Sequence, residues 1–337
     1  MSRYLWVDNA KAIAIFLVVL GHFAALHGHV KTLIYVFHLP VFLFLTGFLV
    51  SAKLKSSNLD AFNKHYLSPY LRLYLGFSLL SILLWMAIVW FNSGQMADVF
   101  TALFASLYGV HGEQRWFIHG NGPLWYFPLL ITSLAVFFLL LKLPEKIIML
   151  LVSAYFIFSV SYQGLRLPWC FDIAGVAVFF MYLGALFKQH YQTLSPYILP
   201  QLTDLLTKKR IIVLVGIAFA TVLWLYFTLQ NGRSNLNARQ FGENPLIYLF
   251  TAMFGTWLAV LVASWLPSNP VMQFLAKHTL IIFSTHIYFV KLCRMVDFPN
   301  GLAGLLWVGL AAAIVVGICS LLSRILEKPV NRYLLAK

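Results

Sequence analysis

The chain has 337 residues, of which 61% are hydrophobic and only 10% are charged. Soluble domains carry about 25% charged residues, so this composition excludes a soluble enzyme, a nucleic-acid-binding module and a small disulfide scaffold. The sequence instead predicts an all-α membrane protein, with residues 1–337 forming a single integral-membrane domain. The three cysteines lie in or beside apolar runs, and we expect neither disulfides nor a metal site.

Apolar stretches of the length that a spanning helix needs, about 17–25 residues, recur along the chain. They are centred near residues 19, 41, 80, 132, 155, 179, 220, 256, 285 and 312. We therefore predict a polytopic bundle of about ten transmembrane helices. Most connections are short, and four are long: residues 93–122 and 231–245 on the outer side, and 52–66 and 188–210 on the inner side.

The formal net charge of +14 is explained by topology rather than by a nucleic-acid partner. If the N-terminus is inside, 17 of the 24 Lys and Arg residues fall on the cytoplasmic side and the remaining seven outside. This asymmetry follows the positive-inside rule. We expect both termini to be cytoplasmic.

His22 is the first ionisable residue deep inside an apolar run, where such groups tend to mark a site or a pathway. Lys11 precedes it by 11 residues, which places both side chains on one helix face, roughly 16 Å apart along the axis. This stripe of a cation and an imidazole suits a functional site. The alternative is a histidine satisfied within the packed bundle, with Lys11 reaching back to the inner surface.

His38 supports the functional interpretation. His22 and His38 stand at equal distances from the turn near residues 28–31, so the two imidazoles should lie at similar depth in the outer half. They form either a shared site or two unrelated polar contacts. Pro40 could kink the second helix and open a cavity beside His38. His286, in the middle of a later span, either lines the site or bonds a neighbouring helix.

Two further groups of residues have open interpretations. Trp125 and Tyr126 end the first long outer connection and suit stacking on a sugar, although the interfacial aromatic belt alone predicts them. On the inner side, Lys64 and Arg72 lead into the third span. They either hold a phosphate-bearing donor or reflect the inner excess of positive charge.

Four segments resemble one known family. They are RYLWVDNAKAIAIFLVVLGH (3–22), FHLPVFLFLTGFLV (37–50), GPLWYF (122–127) and TLIIFSTHIYF (279–289). They are similar to the acyltransferase-3 family of membrane O-acyltransferases, and most of all to its fucose 4-O-acetylase-like and polysaccharide-modifying branch. The family's basic residue and catalytic histidine in helix 1 correspond to Lys11 and His22. Its second motif places His38 in helix 2, with Thr46 for the usual serine, and its Arg-x-x-Arg pair is reduced to Arg72.

The resemblance implies transfer of an acyl group, in particular acetyl, from cytoplasmic acyl-coenzyme A to a sugar hydroxyl. The acceptor would be a cell-surface glycan or its lipid-linked precursor, and the location the inner membrane of a bacterium. Coenzyme A is then a co-substrate, with no permanent cofactor. The implied roles are catalysis by His22 and His38, donor binding by Lys11, Lys64 and Arg72, and acceptor binding by Trp125, Tyr126 and His286. A histidine can act as general base or as nucleophile, and the sequence leaves both open.

A proton-coupled transporter is the alternative from another class. In it, His22, His38 and His286 would form a proton relay through the bundle. The two functions can be told apart with acyl-coenzyme A. An acyltransferase cleaves its thioester, whereas a transporter does not.

Overall fold

The structure, a computed structural model, describes residues 4–94, 98–110, 121–205, 211–267 and 269–330. Over these residues the chain is almost entirely helical, with one two-stranded antiparallel hairpin. The elements are α1 Leu5–Gly21, α2 Gly28–Ser56, α3 Leu59–Phe62, α4 Ser68–Ser93, α5 Val99–Tyr108, α6 Tyr126–Leu140, α7 Glu145–Ser161, α8 Ala174–Gln189, α9 Tyr191–Ile198, α10 Leu202–Leu205, α11 Ile211–Asn231, β1 Ser234–Asn235, β2 Gln240–Phe241, α12 Pro245–Trp265, α13 Pro270–Leu292 and α14 Gly301–Pro329.

Each of the ten predicted span centres lies in a long helix: α1, α2, α4, α6, α7, α8, α11, α12, α13 or α14. Among the described residues, seven helical segments are both long and apolar enough to cross a membrane. The other three long helices fall short for different reasons. α1 and α7 have 17 residues each, and α13 has 23 but carries two lysines and two histidines. The all-α polytopic membrane fold is thus confirmed.

The orientation of the bundle in the membrane stays a prediction. We use "inner end" for the end at which α1 begins and α2 ends, and "outer end" for the opposite one. The long connections carry short elements of their own. α5 and the β hairpin lie in the two outer connections, while α3, α9 and α10 lie in the inner ones.

The first helix begins earlier than its apolar run suggested. α1 starts at Leu5 and ends at Gly21, so its first two turns include the polar residues Asp8, Asn9 and Lys11. Asn9 makes this possible, because its buried Nδ2 donates to the carbonyl oxygens of Ala263 (3.1 Å) and Leu266 (2.9 Å) at the end of α12. These two bonds satisfy the amide nitrogen of the side chain, while its Oδ1 is buried and has no hydrogen-bond partner among the described residues.

Two glycines set the tightest helix crossing in the bundle. A Cβ atom at Gly47 of α2 would overlap the carbonyl oxygen of Met181 in α8, and one at Gly184 of α8 would overlap the carbonyl oxygen of Phe44 in α2. Small residues let helix backbones approach closely in a membrane, where packing replaces the hydrophobic effect as the source of association. α2 also packs against α1 and α12, and α1 against α13. These contacts bring α1, α2 and α13 together at the outer end.

Candidate active site

A cavity of about 340 Å³ lies at the outer end of the bundle. α1, α2, α13, the turn Gly122–Trp125 and the β hairpin all contribute to its wall. The polar side chains in the wall are His22, Tyr35, His38, Asn235, Asn237 and Lys291. Its volume falls in the range of small-molecule sites, about 300–1,000 Å³.

His22 and His38 line this cavity together. His22 is the residue that follows α1, and His38 lies within α2, which continues through Pro40 as one helix. Each Nδ1 bonds the backbone carbonyl four residues earlier, at 2.7 Å to Val18 and 2.8 Å to Ile34. A carbonyl oxygen only accepts, so both Nδ1 atoms carry a proton.

This tautomer has a chemical consequence. In a neutral imidazole with Nδ1 protonated, Nε2 keeps its lone pair and can take up a proton or attack an electrophile. Within the described part of the chain, neither Nε2 atom of His22 or His38 forms a hydrogen bond. The local backbone contacts therefore fix each ring with its basic nitrogen available for chemistry.

His286 lies next to His22 but is not among the residues that line the cavity. The two rings meet edge to face, with their centroids 4.9 Å apart and their planes at 71°. His286 is fully buried, and its Nδ1 lies 2.8 Å from the carbonyl oxygen of Phe283. Its Nε2 is buried and has no hydrogen-bond partner among the described residues. In this arrangement His286 packs against the His22 ring from within the protein and can hold its orientation.

Trp125 and Tyr126 are neighbours in sequence, but their side chains lie in different surroundings. Trp125 lines it, whereas Tyr126 points into the core, where its ring centroid lies 5.0 Å from that of Phe283 and 6.4 Å from that of Phe42. Both are at least nine-tenths buried. Trp125 can offer an indole face to a ligand, while the phenol ring of Tyr126 packs beneath the site.

The three residues predicted to bind the donor do not all lie at one site. Lys64 and Arg72 line one shallow groove of about 410 Å³ at the inner end, and Arg72 Nε donates to the carbonyl oxygen of Ser68 at 3.3 Å. Lys11 does not line this groove. It lies on α1, which packs against α2, α12, α13 and α14 rather than against α4.

Four polar residues of the cavity wall had not been singled out from the sequence. Tyr35 precedes His38 by one helical turn, and Lys291 follows Phe283 and Ile287 at four-residue intervals on α13, so helical spacing from those positions could have found both. The other two, Asn235 and Asn237, lie on the β hairpin. No periodic pattern connects them with the histidines.

The fold and the cavity together define a multi-pass membrane protein with an imidazole-lined site inside its helical bundle. The acyltransferase-3 family model, described as an acyltransferase domain, matches residues 4–324. The chain belongs to this family, and its membership indicates acyltransferase activity in a membrane. No curated protein and no solved structure is significantly similar to the chain.

Proposed function

We propose that this protein transfers an acetyl group from cytoplasmic acetyl-coenzyme A to a sugar hydroxyl of a cell-surface glycan or its lipid-linked precursor, in the inner membrane of a bacterium. One observation carries the proposal. His22 and His38 line a single cavity with Nδ1 of each ring held by the backbone, which leaves two basic Nε2 atoms beside Trp125.

The reaction needs a base next to an acceptor hydroxyl. The hydroxyl oxygen attacks the thioester carbonyl, a C–O bond forms, and the C–S bond breaks to release coenzyme A. The hydroxyl proton passes to an imidazole Nε2 and from there to the departing thiolate. General base catalysis of this kind contributes about 10²- to 10⁴-fold. Alternatively one imidazole takes the acetyl group first and passes it on.

The donor enters from the opposite end in this proposal. Lys64 and Arg72, in their shared groove, bind phosphates of coenzyme A, and Lys11 on α1 contributes a third positive charge at the inner end. α1 is about 26 Å long at 1.5 Å per residue. The flexible arm of the donor therefore has to extend along most of the bundle for its thioester to reach His22.

The acceptor approaches from the outer end. The indole of Trp125 offers a flat apolar surface of the kind that packs against a sugar ring, and polar residues of the hairpin and Lys291 surround it. A wall that mixes polar and apolar groups suits a sugar, which has both hydroxyl groups and an apolar ring face.

The test is transfer of label by the purified protein. Detergent-solubilised protein is incubated with acetyl-coenzyme A carrying a radioactive acetyl group and with a panel of bacterial surface glycans. We expect label to appear on a glycan as an ester that hydroxylamine releases, and coenzyme A to form in equal amount. A His22→Ala variant run in parallel should transfer none.

The transporter alternative gives a different result. Wild-type protein that leaves the thioester intact with every glycan, yet takes up protons in sealed vesicles, would overturn the acetyl-transfer proposal.

A further inference from the structure

The β hairpin at the outer end forms part of the cavity wall. β1 and β2 pair antiparallel, with Ser234 opposite Phe241 and Asn235 opposite Gln240. The turn between them begins with Leu236 and Asn237. Asn235, Leu236 and Asn237 all line the cavity that contains the two histidines. A two-stranded hairpin is marginally stable by itself, so this wall depends on what holds it.

The base of the hairpin is closed by Asn231. Its Nδ2 donates to the carbonyl oxygen of Phe241 at 3.0 Å, and its Oδ1 accepts from the backbone N–H of Asn244 at 2.7 Å. Gly242 has a φ of 74° and lies directly against Asn231, where a Cβ atom would overlap the asparagine side chain. The two ends of the hairpin are thereby held together where α11 ends and α12 begins.

The tip of the hairpin is held by a different part of the chain. Arg166, in the connection between α7 and α8, donates from Nη1 to the carbonyl oxygen of Asn237, a cavity-lining residue. Its Nε lies 3.2 Å from Oδ2 of Asp172, and both side chains are almost completely buried, with 4% and 0% exposed. Arg239, on the hairpin itself, lies 3.8 Å from the same Asp172 oxygen and donates to the carbonyl oxygen of Gly164 at 2.6 Å.

The same connection also reaches the turn that carries Trp125. Cys170 Sγ lies 3.7 Å from the carbonyl oxygen of Trp125 and 3.8 Å from Nη2 of Arg166. The Arg166 guanidinium is therefore linked directly to the hairpin and, through Cys170, to the Gly122–Trp125 turn. These contacts together constrain the distance between the hairpin and the Gly122–Trp125 turn.

The hairpin side chains have the chemistry to recognise carbohydrate. A carboxamide offers two N–H donors and a carbonyl acceptor, which match the donor and acceptor character of sugar hydroxyls. Oδ1 of Asn235 already accepts from the backbone N–H of Ala238 at 3.4 Å, and its Nδ2 forms no hydrogen bond within the described residues. Its N–H groups are then the part of this side chain that can bind a ligand.

We propose that the hairpin tip, through Asn235 and Asn237, is the acceptor-recognition wall of the site and binds sugar hydroxyls. We further propose that Arg166, neutralised by Asp172, is the positioning residue that holds this wall in place. Both statements rest on the proposed acetyl transfer to a glycan. Neither places Arg166 in contact with the reacting atoms.

The central experiment compares Michaelis constants for the two substrates. In Arg166→Gln, we expect KM for the glycan to rise about ten- to a hundredfold, the effect of losing one or two hydrogen bonds to the acceptor. KM for acetyl-coenzyme A should change less than about twofold, because the donor binds at the inner end. Asn235→Ala should show the same split. Gln163→Ala, an exposed position in the Arg166 connection, is the matched control and should behave as wild type.

A purely structural role for Arg166 makes a different prediction in the double variant Arg166→Gln/Asp172→Asn. Removing Arg166 leaves the buried Asp172 carboxylate with the more distant Arg239, 3.8 Å away, and removing the Asp172 charge as well relieves that loss. We expect the double variant to regain most of the thermal stability lost in Arg166→Gln. It should keep the raised glycan KM, because the hydrogen bond from Arg166 to the Asn237 carbonyl oxygen is still missing. Recovery of both properties together would overturn the positioning role.

Hydrogen exchange gives a readout that needs no activity. Amides of residues 233–242 should exchange at least about tenfold faster in Arg166→Gln than in wild type, and amides of α2 should not change. Unchanged exchange in the hairpin, or an unchanged glycan KM in an active enzyme, would overturn the proposal about the hairpin while leaving acetyl transfer standing. A wild-type protein that acetylates no glycan overturns the proposed function, and the acceptor role of the hairpin with it.

Discussion

The imidazole of His286 packs edge-on against that of His22, with their centroids 4.9 Å apart. Of these two residues, only His22 lines the cavity. A ligand in the cavity can therefore contact the His22 ring, while His286 packs against that ring from within the protein. The pair connects α13 with the end of α1. It explains how the side chain of a residue just beyond the last turn of a helix is kept in one orientation.

We expect His286 to act mainly through packing. His286→Ala should lower kcat about tenfold, because the void beside His22 lets that ring turn. His286→Phe keeps an aromatic edge in the same place and should retain at least about a third of wild-type kcat. The measurement is the rate of coenzyme A release with saturating acceptor. Loss of activity in both variants alike would instead assign a proton-transfer role to His286.

Replacing either cavity histidine should abolish most of the transfer. His22→Asn can still donate to the Val18 carbonyl but lacks Nε2, and we expect it to lose at least about 10²- to 10⁴-fold in kcat. His38→Ala should lose most activity as well. His29→Ala, an exposed histidine near the start of α2, is the control and should keep full activity. Near wild-type turnover of His22→Asn would contradict the assignment.

The groove at the inner end should govern donor affinity. Arg72→Ala and Lys64→Ala should raise KM for acetyl-coenzyme A about ten- to a hundredfold each, since a charge-assisted contact contributes about 1.5–3 kcal/mol. Arg72→Lys should recover only part, because an ammonium lacks the two-pronged geometry of a guanidinium. Lys146→Ala, at the exposed start of α7, is the control. Unchanged donor KM in both groove variants would move the donor site elsewhere.

Lys11 provides a separate test of the donor path. It lies on a different helix from Arg72, and its substitution should therefore add independently to that of Arg72 in a double variant. We expect the KM for acetyl-coenzyme A to rise in Lys11→Ala and the KM for the acceptor to stay constant. An increase confined to the acceptor would place Lys11 outside the donor site.

The close crossing of α2 and α8 should tolerate no side chain. Gly47→Ala and Gly184→Ala put a Cβ into a backbone carbonyl that no rotamer change can move, and overpacking of this kind costs about 1–3 kcal/mol. Both should lower the unfolding temperature in detergent. Gly216→Ala on α11, where no atom lies within 4 Å of the added Cβ, should lower it not at all. Equal unfolding temperatures for all three variants would contradict the close packing of α2 against α8.

The orientation of the bundle can be measured with two exposed serines. Ser56 ends α2 at the inner end and Ser93 ends α4 at the outer end. In a chain without its three native cysteines, Ser93→Cys should react with a membrane-impermeant thiol reagent in intact spheroplasts, and Ser56→Cys only after lysis. The reverse pattern would invert the predicted topology.

The sequence predicted the parts of the site that follow from regular spacing. His22 and His38 line one cavity, as predicted from their places on neighbouring helices, but the turn between those helices lies at residues 22–27 rather than near 28–31. The two histidines therefore do not flank it symmetrically, because α2 begins at Gly28 and His38 lies ten residues further along it. The role of Asn9 at the start of α1 was not predicted, because its Nδ2 donates to carbonyl oxygens more than 250 residues further along the chain. The hairpin wall was missed for the same reason. Its position depends on Arg166, 71 residues away from Asn237, and neither residue carries a local signal.

The close approach of the α2 and α8 backbones at Gly47 and Gly184 also determines which parts of the enzyme can move. Helices whose backbones touch have no side-chain layer to shear across, so α2 and α8 form one rigid body that includes His38. Any movement that opens the cavity must therefore leave this pair intact. Among the seven candidate spans, those of α11 and α14 are the least buried, at 6% and 28%. His38 is therefore held on a framework of touching helix backbones, whose position does not depend on side-chain rotamers.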